Sequence, residues 1–245
     1  MQIDVIFSAS EVDATRIKDK AVVVIDVLRA TSVMVTALWN GASKVVPVLS
    51  PEEAFEYRER FTDEEVVLAG ERHSEKISGF DYGNSPLDMQ RQNIGGKTLV
   101  MTTTNGTLAV RRSSESSELF VTAFLNAGAT ARALEGFEDV VLVCSGSNGG
   151  FTMEDTLCAG YLLELINRQE ASVRMTDAAV ASYRLYIAEK NDIHQIAGEG
   201  RHYNLLRGKG LSMDLRYCFQ KNENQMVCRR RRDAIYGEGP ELFGI

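Results

Sequence analysis

The stretch from Ala21 to Thr31 constrains the fold more than any other part of the 245-residue chain. It opens with five consecutive apolar residues, Ala21 to Ile25, three of which are valine. Such a run is typical of a strand buried on both faces, as in a parallel sheet covered by helices. The run ends at Asp26, and Arg29 follows just before an apolar pattern with helical spacing. Because ligands of open α/β sheets bind beyond the carboxyl ends of the strands, these two residues mark one corner of a predicted site.

Strand-like and helix-like patterns alternate along most of the chain. The predicted strands cover residues 3–7, 21–27, 44–49, 66–69, 97–101, 119–123, 140–144 and 225–228. The predicted helices cover residues 31–40, a segment beginning at Pro51, 86–93, 105–112, 127–134, 152–168, 176–189 and most of 192–218, with Thr152 and Thr176 as N-caps. A long polar loop is predicted for residues 70–85. Repeated βα units predict a three-layer α/β/α sandwich around a largely parallel or mixed sheet, with residues 1–245 forming a single domain.

Composition excludes several classes of function. The net charge of −7 and the pI near 5.2 argue against a nucleic-acid partner. The four cysteines form no CxxC pair and are too few for a disulfide scaffold, which favours reduced, buried thiols. The N-terminal sequence does not resemble a signal peptide, and no stretch is apolar enough to cross a membrane. We therefore expect a cytoplasmic protein with no membrane partner, and a homodimer because that is the commonest oligomer.

Polar groups follow four of the predicted strands, at the point where each strand ends. They are Asp26 and Arg29; Glu71 and Arg72; Thr103, Asn105 and Gly106; and Ser145 and Gly146, with Glu154 and Asp155 a little further on. In one parallel sheet the carboxyl ends of these strands share an edge, so we expect the groups to converge there.

Each of these groups suits a small polyanion. Hydroxyls and backbone N–H groups in residues 103–106 and 145–150 can bind an oxyanion at a helix N-terminus. The guanidinium groups of Arg29 and Arg72 can bind phosphate, sulfonate or carboxylate. The carboxylates are hard oxygen ligands of the kind that hold Mg²⁺ together with a substrate phosphate. The sequence therefore predicts a polyanion site with a metal ion.

Structural roles are the alternative for each residue taken alone. Thr152 and Asp155 have the spacing of a capping box, and Asp26 with Arg29 could form a structural ion pair. Cys144 is more typical of a packed thiol than of a nucleophile, and the arginines at 229–232 are typical of a solvated face. The convergence of the groups on one sheet edge favours a functional site.

Five motifs spread over most of the chain carry a resemblance to a known family. They are Ile25–Thr31, Gly70–Arg72, Gly79–Pro86, Thr102–Thr107, and Cys144–Gly146 with Glu154–Asp155. In this order they resemble the 2-phosphosulfolactate phosphatase family, with a weaker match at His202, Asp214 and Cys218. The resemblance implies a three-layer α/β/α fold and a Mg²⁺-dependent phosphatase. Its reaction would hydrolyse 2-phospho-3-sulfolactate to 3-sulfolactate and phosphate, a step towards coenzyme M.

The resemblance sharpens the expected roles of the site residues. Asp26 and one or both of Glu154 and Asp155 would bind Mg²⁺, with Glu71 a further candidate. Asp26, Arg29 and Glu71 are the expected catalytic residues, and the metal and Arg29 would stabilise charge on the phosphoryl group. The expected substrate-binding residues are Arg72, Asn84, Thr103, Asn105, Gly106, Ser145 and Gly146. Attack by a water that a carboxylate activates and prior phosphorylation of Asp26 are both compatible with these residues.

Three other functions are compatible with the same residues. The first is a phosphatase for a different small 2-phosphohydroxy acid, since no residue in the sequence specifically recognises a sulfonate rather than a carboxylate. The second is a binding module that holds a polyanionic metabolite without hydrolysing it. The third is an assembly subunit, which would need a large apolar surface patch that the polar loops do not suggest.

Overall fold

A computed structural model describes residues 1–170 and 172–239, and one mixed sheet runs through this part of the chain. Its eleven strands are β1 (Gln2–Ile6), β2 (Ala21–Ile25), β3 (Lys44–Pro47), β4 (Val66–Arg72), β5 (Glu75–Lys76), β6 (Thr98–Thr102), β7 (Glu118–Thr122), β8 (Asp139–Cys144), β9 (Arg174–Met175), β10 (Val227–Arg231) and β11 (Ala234–Glu238). Their order across the sheet is β5-β4-β6-β3-β11-β10-β7-β2-β8-β1-β9, which places β2 well inside the sheet.

The described residues also form eleven α-helices. These are α1 (Ala14–Ile17), α2 (Ala30–Trp39), α3 (Pro51–Arg60), α4 (Arg91–Ile94), α5 (Gly106–Arg112), α6 (Ala127–Ala133), α7 (Met153–Gln169), α8 (Asp177–Glu189), α9 (Ile193–Ala197), α10 (Arg201–Gly208) and α11 (Ser212–Cys218). Short 3₁₀-helices cover Ala9–Glu11, Pro86–Asp88 and Phe124–Asn126. In this part of the chain no helix combines the length and the apolar character that a membrane span requires.

Helices cover both faces of the sheet, which confirms the predicted three-layer sandwich. Val23 and Ile25 of β2 belong to the apolar cluster that also contains Leu157 of α7. Val22 and Val24 belong to a second cluster, which contains the buried apolar residues of α2. Because successive strand residues face opposite sides of a sheet, the continuous apolar run in β2 is what allows helices to pack on both sides.

The parallel strands form two groups that run in opposite directions. β7, β2, β8, β1 and β9 are parallel to one another, and so are β3, β6 and β4. Between the groups lies the antiparallel hairpin of β10 and β11, whereas the sequence predicted only one strand here. Helix α2 packs against β3, β7 and β11 and so contacts both groups as well as the hairpin.

One local prediction was wrong. Glu71 and Arg72 were expected in a loop, but β4 continues through them because its backbone pairs with β6 and then with the short strand β5. Both predicted N-caps are confirmed in position. Thr176 caps α8 with its side chain, which accepts the N–H of Ala179. Thr152 is the N-cap residue of α7, but its hydroxyl donates to Asp155 Oδ2 at 2.8 Å and accepts no backbone N–H of the first turn.

Candidate active site

A pocket of about 420 Å³ lies where the segments that follow β2, β4, β6 and β8 meet α10. Six of the predicted site residues line it: Asp26, Arg29, Glu71, Asn84, Thr103 and Asn105. Its volume falls within the range of small-molecule sites. These residues converge as predicted, but the expected reason was wrong. Because β4 and β6 run opposite to β2 and β8, the carboxyl ends of the four strands do not share one edge of a parallel sheet.

Asp26 lies directly beyond β2, at the start of α2. Its Oδ1 accepts the backbone N–H of Ala30 at 3.1 Å, so the carboxylate lies at the N-terminus of that helix. The Thr31 hydroxyl accepts the Asp26 N–H at 3.0 Å and donates to the Asp26 carbonyl oxygen at 2.8 Å, which fixes the turn. Burial raises the pKa of Asp26 to about 6, and the nearby carboxylates of Glu71 and Glu154 act in the same direction.

Gly106 allows the loop after β6 to approach Asp26 closely. A Cβ atom at this position would lie 2.5 Å from Asp26 Oδ2 and 2.4 Å from the Cβ of Ala30. No side chain fits in that space without displacing the carboxylate. The predicted role of Gly106 in holding an oxyanion stays a prediction, and the close approach to Asp26 is a second reason for a glycine here.

Both carboxylate oxygens of Glu71 accept hydrogen bonds from loops that line the pocket. Its Oε1 accepts the backbone N–H and the hydroxyl of Thr104, each at 2.9 Å, and its Oε2 accepts the N–H of Ser74 at 2.8 Å. The Thr103 hydroxyl accepts the N–H of Thr107 at 3.2 Å in the first turn of α5. Glu71 therefore positions the loops on either side of it.

Arg29 forms a buried ion pair with a residue from the other end of the chain. Its Nη1 donates to Asp214 Oδ2 at 2.5 Å, and each side chain is about 5% exposed. The Ser85 hydroxyl donates to the other oxygen of Asp214 at 2.7 Å. These contacts fix the guanidinium of Arg29 at the pocket and satisfy a carboxylate that would otherwise be costly to bury.

Asp155 connects α7 to the loops that follow β2 and β8. Its Oδ1 accepts the N–H of Val27 at 2.8 Å, and its Oδ2 accepts the N–H of Gly146 at 3.1 Å as well as the Thr152 hydroxyl. Burial raises the pKa of Asp155, and the neighbouring carboxylates of Asp26 and Glu154 raise it further. These hydrogen bonds engage both of its oxygens.

Glu154 and His202 form a second pair beside Asp26. The Nδ1 atom of His202 lies 2.9 Å from Glu154 Oε1, while Glu154 Oε2 is buried and has no hydrogen-bond partner in the described residues. Burial lowers the pKa of His202, but the carboxylates of Glu154 and Asp26 outweigh it, so the pKa lies above its usual value. The pair places an imidazole in the wall of the pocket.

Four predicted substrate-binding residues do not line the pocket: Gly106, described above, and Arg72, Ser145 and Gly146. Arg72 donates to the carbonyl oxygens of Glu71 and Leu49 and to the Thr102 hydroxyl, at 2.8 to 3.1 Å. The Oγ of Ser145 is buried and has no hydrogen-bond partner in residues 1–170 and 172–239. Gly146 has a φ of +67° and donates its N–H to Asp155.

Two carboxylates at or beside the pocket keep an oxygen of the kind that binds magnesium. Across the described part of the chain, no group of three or more His, Cys, Asp and Glu side chains could hold a metal ion. Mg²⁺ commonly takes only one or two protein carboxylates and completes its shell with water and substrate phosphate. Asp26 Oδ2 and Glu154 Oε2 are carboxylate oxygens that accept no hydrogen bond from the described residues. That donor set is consistent with such a site.

Sequence reasoning missed most of the contribution of α10. Arg201, Leu205 and Lys209 line the pocket from this helix and its C-cap, beside His202 and Leu206. Their spacing of four residues is the signal that could have identified them, since it places them on one helix face. Without a known partner for that face, the pattern is equally typical of an exposed helix.

The sheet, the pocket at its edge and the cluster of buried charged residues define an α/β enzyme with a site for a small anionic substrate. A family model described as 2-phosphosulpholactate phosphatase matches residues 6–233. A probable 2-phosphosulfolactate phosphatase of Clostridium perfringens (strain SM101 / Type A) is 46% identical over 239 residues, which cover 96% of each chain.

Two further relatives carry the same description. The protein of Clostridium novyi (strain NT) is 42% identical over 91% of this chain and 94% of its own. The protein of Clostridium botulinum (strain Eklund 17B / Type B) is 40% identical over 91% of this chain and 93% of its own. The chain therefore belongs to the 2-phosphosulfolactate phosphatase family, and it is a phosphoric monoester hydrolase.

Proposed function

We propose that the chain hydrolyses 2-phospho-3-sulfolactate to 3-sulfolactate and phosphate in a Mg²⁺-dependent reaction. This reaction is of the type that leads towards coenzyme M. The substrate is the one for which the family model and the relatives are named. The observation that carries the proposal is the pocket itself, which combines Asp26, Arg29 and His202 at one edge of the sheet. Phosphoryl transfer needs carboxylates that bind a metal ion and an arginine that stabilises negative charge on the phosphoryl oxygens.

Asp26 and Glu154 are the residues that would hold the magnesium ion, because each keeps a carboxylate oxygen free of hydrogen bonds from the described residues. When bound there, Mg²⁺ would neutralise charge on the phosphoryl oxygens. Asp155 would position the site rather than bind the ion, since both of its oxygens already accept hydrogen bonds. His202 would orient Glu154 through their hydrogen bond.

Arg29 would stabilise the negative charge that develops on the phosphoryl oxygens, because its ion pair with Asp214 fixes it at the pocket. Thr103, Asn105 and Asn84 line the same pocket and would hold the remaining oxygens of the substrate. Asp26 is needed whether it accepts the phosphoryl group first or activates a water for direct attack. Both routes end with the leaving oxygen taking up a proton.

Phosphate release from two substrates tests the assignment. In the presence of Mg²⁺ we expect kcat/KM for 2-phosphosulfolactate to exceed that for 2-phospholactate by about tenfold or more, which corresponds to about 1.4 kcal/mol of discrimination. Equal values would assign the enzyme to a broader class of 2-phosphohydroxy acids. Binding of both compounds without any release of phosphate would contradict the proposal and favour a binding module.

A further inference from the structure

One face of α10 forms a wall of the pocket. Arg201 begins the helix, Leu205 follows one turn later, and Lys209 is the C-cap. All three line the pocket, as expected for residues that are four positions apart. His202, next to Arg201, contacts Glu154 and so ties the start of the helix to the centre of the site.

The cations in the wall of the pocket differ in what they already bind. Arg29 is paired with Asp214 at 2.5 Å, and Lys209 lies 3.2 Å from Glu75. Arg201 forms no hydrogen bond or ion pair with any residue that the structure describes, and it is exposed. The guanidinium of Arg201 therefore has no partner among the described residues, and all of its N–H donors can bind an anionic group of a ligand.

We propose that Arg201 determines substrate specificity by binding the sulfonate of 2-phosphosulfolactate, an inference that rests on the proposed function. The substrate carries phosphate and carboxylate groups at C2 and a sulfonate on the adjacent carbon, C3. Its phosphate belongs near Asp26, Glu154 and Arg29, and its sulfonate is one carbon further away. Arg201 lines the same pocket as Asp26 and Arg29, so its guanidinium borders the space in which a three-carbon substrate would lie.

The chemistry of the guanidinium group supports this assignment. Its planar fork of N–H donors can bind two oxygens of a sulfonate at once, and the charge assists both hydrogen bonds. A lysine offers a point charge without that geometry, so the two residues are not equivalent at this position. Arg201 would thus distinguish the sulfonate substrate from an analogue that has only a methyl group at C3.

Two variants and a matched control test the proposal. Arg201→Ala should lower kcat/KM for 2-phosphosulfolactate by about 10- to 100-fold, the effect of losing a hydrogen bond to a charged group, and mainly by raising KM. The loss on 2-phospholactate should be much smaller, and Arg201→Lys should recover part of the activity. Arg207→Ala is the control, because Arg207 is an exposed residue of the same helix and does not line the pocket.

Calorimetry with 3-sulfolactate gives a readout that does not depend on turnover. The compound keeps the carboxylate and the sulfonate, so Arg201→Ala should weaken its binding while Arg207→Ala leaves it unchanged. Equal losses on the two phosphorylated substrates, or equal affinity of wild type and Arg201→Ala for 3-sulfolactate, would overturn the role of Arg201. A wild-type protein that binds 3-sulfolactate through Arg201 but hydrolyses neither compound would overturn only the proposed function.

Discussion

Asp26→Asn is expected to lower kcat by on the order of 10³-fold or more while the fold stays intact. Asparagine has the same size, and its Oδ1 can still accept the N–H of Ala30 that Asp26 accepts at 3.1 Å. What it lacks is the charge that would hold the metal ion or attack the phosphoryl group. Because burial already raises the pKa of Asp26 to about 6, removing that charge should not destabilise the metal-free protein.

Steady-state phosphate release and thermal unfolding measure the two parts of this prediction. Asp88→Asn is a matched control, because burial also raises the pKa of Asp88 but its side chain does not line the pocket. The control should keep most of the activity. Wild-type turnover by Asp26→Asn would remove Asp26 from the catalytic machinery, and a large fall in Tm would show a structural role instead.

Asp214→Asn should cost about 3–5 kcal/mol of unfolding free energy, because it leaves the Arg29 guanidinium buried without its carboxylate. The replacement can still accept the hydrogen bond that Ser85 donates at 2.7 Å, so the loss comes from the missing charge. Activity should fall as well, since the 2.5 Å contact no longer fixes Arg29 at the pocket. Urea unfolding of the variant and the wild type measures the difference.

The double variant Arg29→Met/Asp214→Leu separates stability from activity. Replacing a buried ion pair by apolar residues of similar volume is often neutral for stability, so the double variant should be more stable than Asp214→Asn. It should remain inactive because the arginine is gone. A cost below about 1 kcal/mol for Asp214→Asn would indicate that the pair is solvated, as exposed ion pairs are.

The central sheet of the fold was predictable because the sequence pattern that indicates it lies within a few consecutive residues. The apolar run of β2 has no polar position until Asp26, and that alone requires helices on both faces of the strand. The same run places Asp26 at the edge of the sheet, where the pocket is found. The helix that begins at Pro51, α3, was equally clear in the sequence.

The β10–β11 hairpin could not be predicted in the same way. Its first strand contains three consecutive arginines, which by composition indicate a solvated surface. In the structure, ion pairs stabilise this arginine-rich strand. Arg231 pairs with Glu238 within the hairpin, and Arg229 pairs with Glu118 of β7. Such cross-strand partners are known only once the register is known.

The carboxylates of the site show a second limit of sequence reasoning. Glu71, Glu154 and Asp155 are the same kind of group in the sequence, but Glu71 and Asp155 are surrounded by donors that engage both oxygens. Only the folded chain distinguishes an acceptor of backbone N–H groups from a free ligand oxygen. The pairing of Arg29 with Asp214 joins residues 185 positions apart, and it too has no local signal.

Phosphate release from 2-phosphosulfolactate by EDTA-treated protein, measured while Mg²⁺ is added back, tests metal-dependent hydrolysis at Asp26 most directly. We expect no release without the metal and full recovery with it. Because Asp26 takes up a proton near its pKa of about 6, more Mg²⁺ should be needed at about pH 5.5 than at about pH 7.5. Undiminished release in excess EDTA would contradict the magnesium site, and no release under any of these conditions would contradict the assigned reaction.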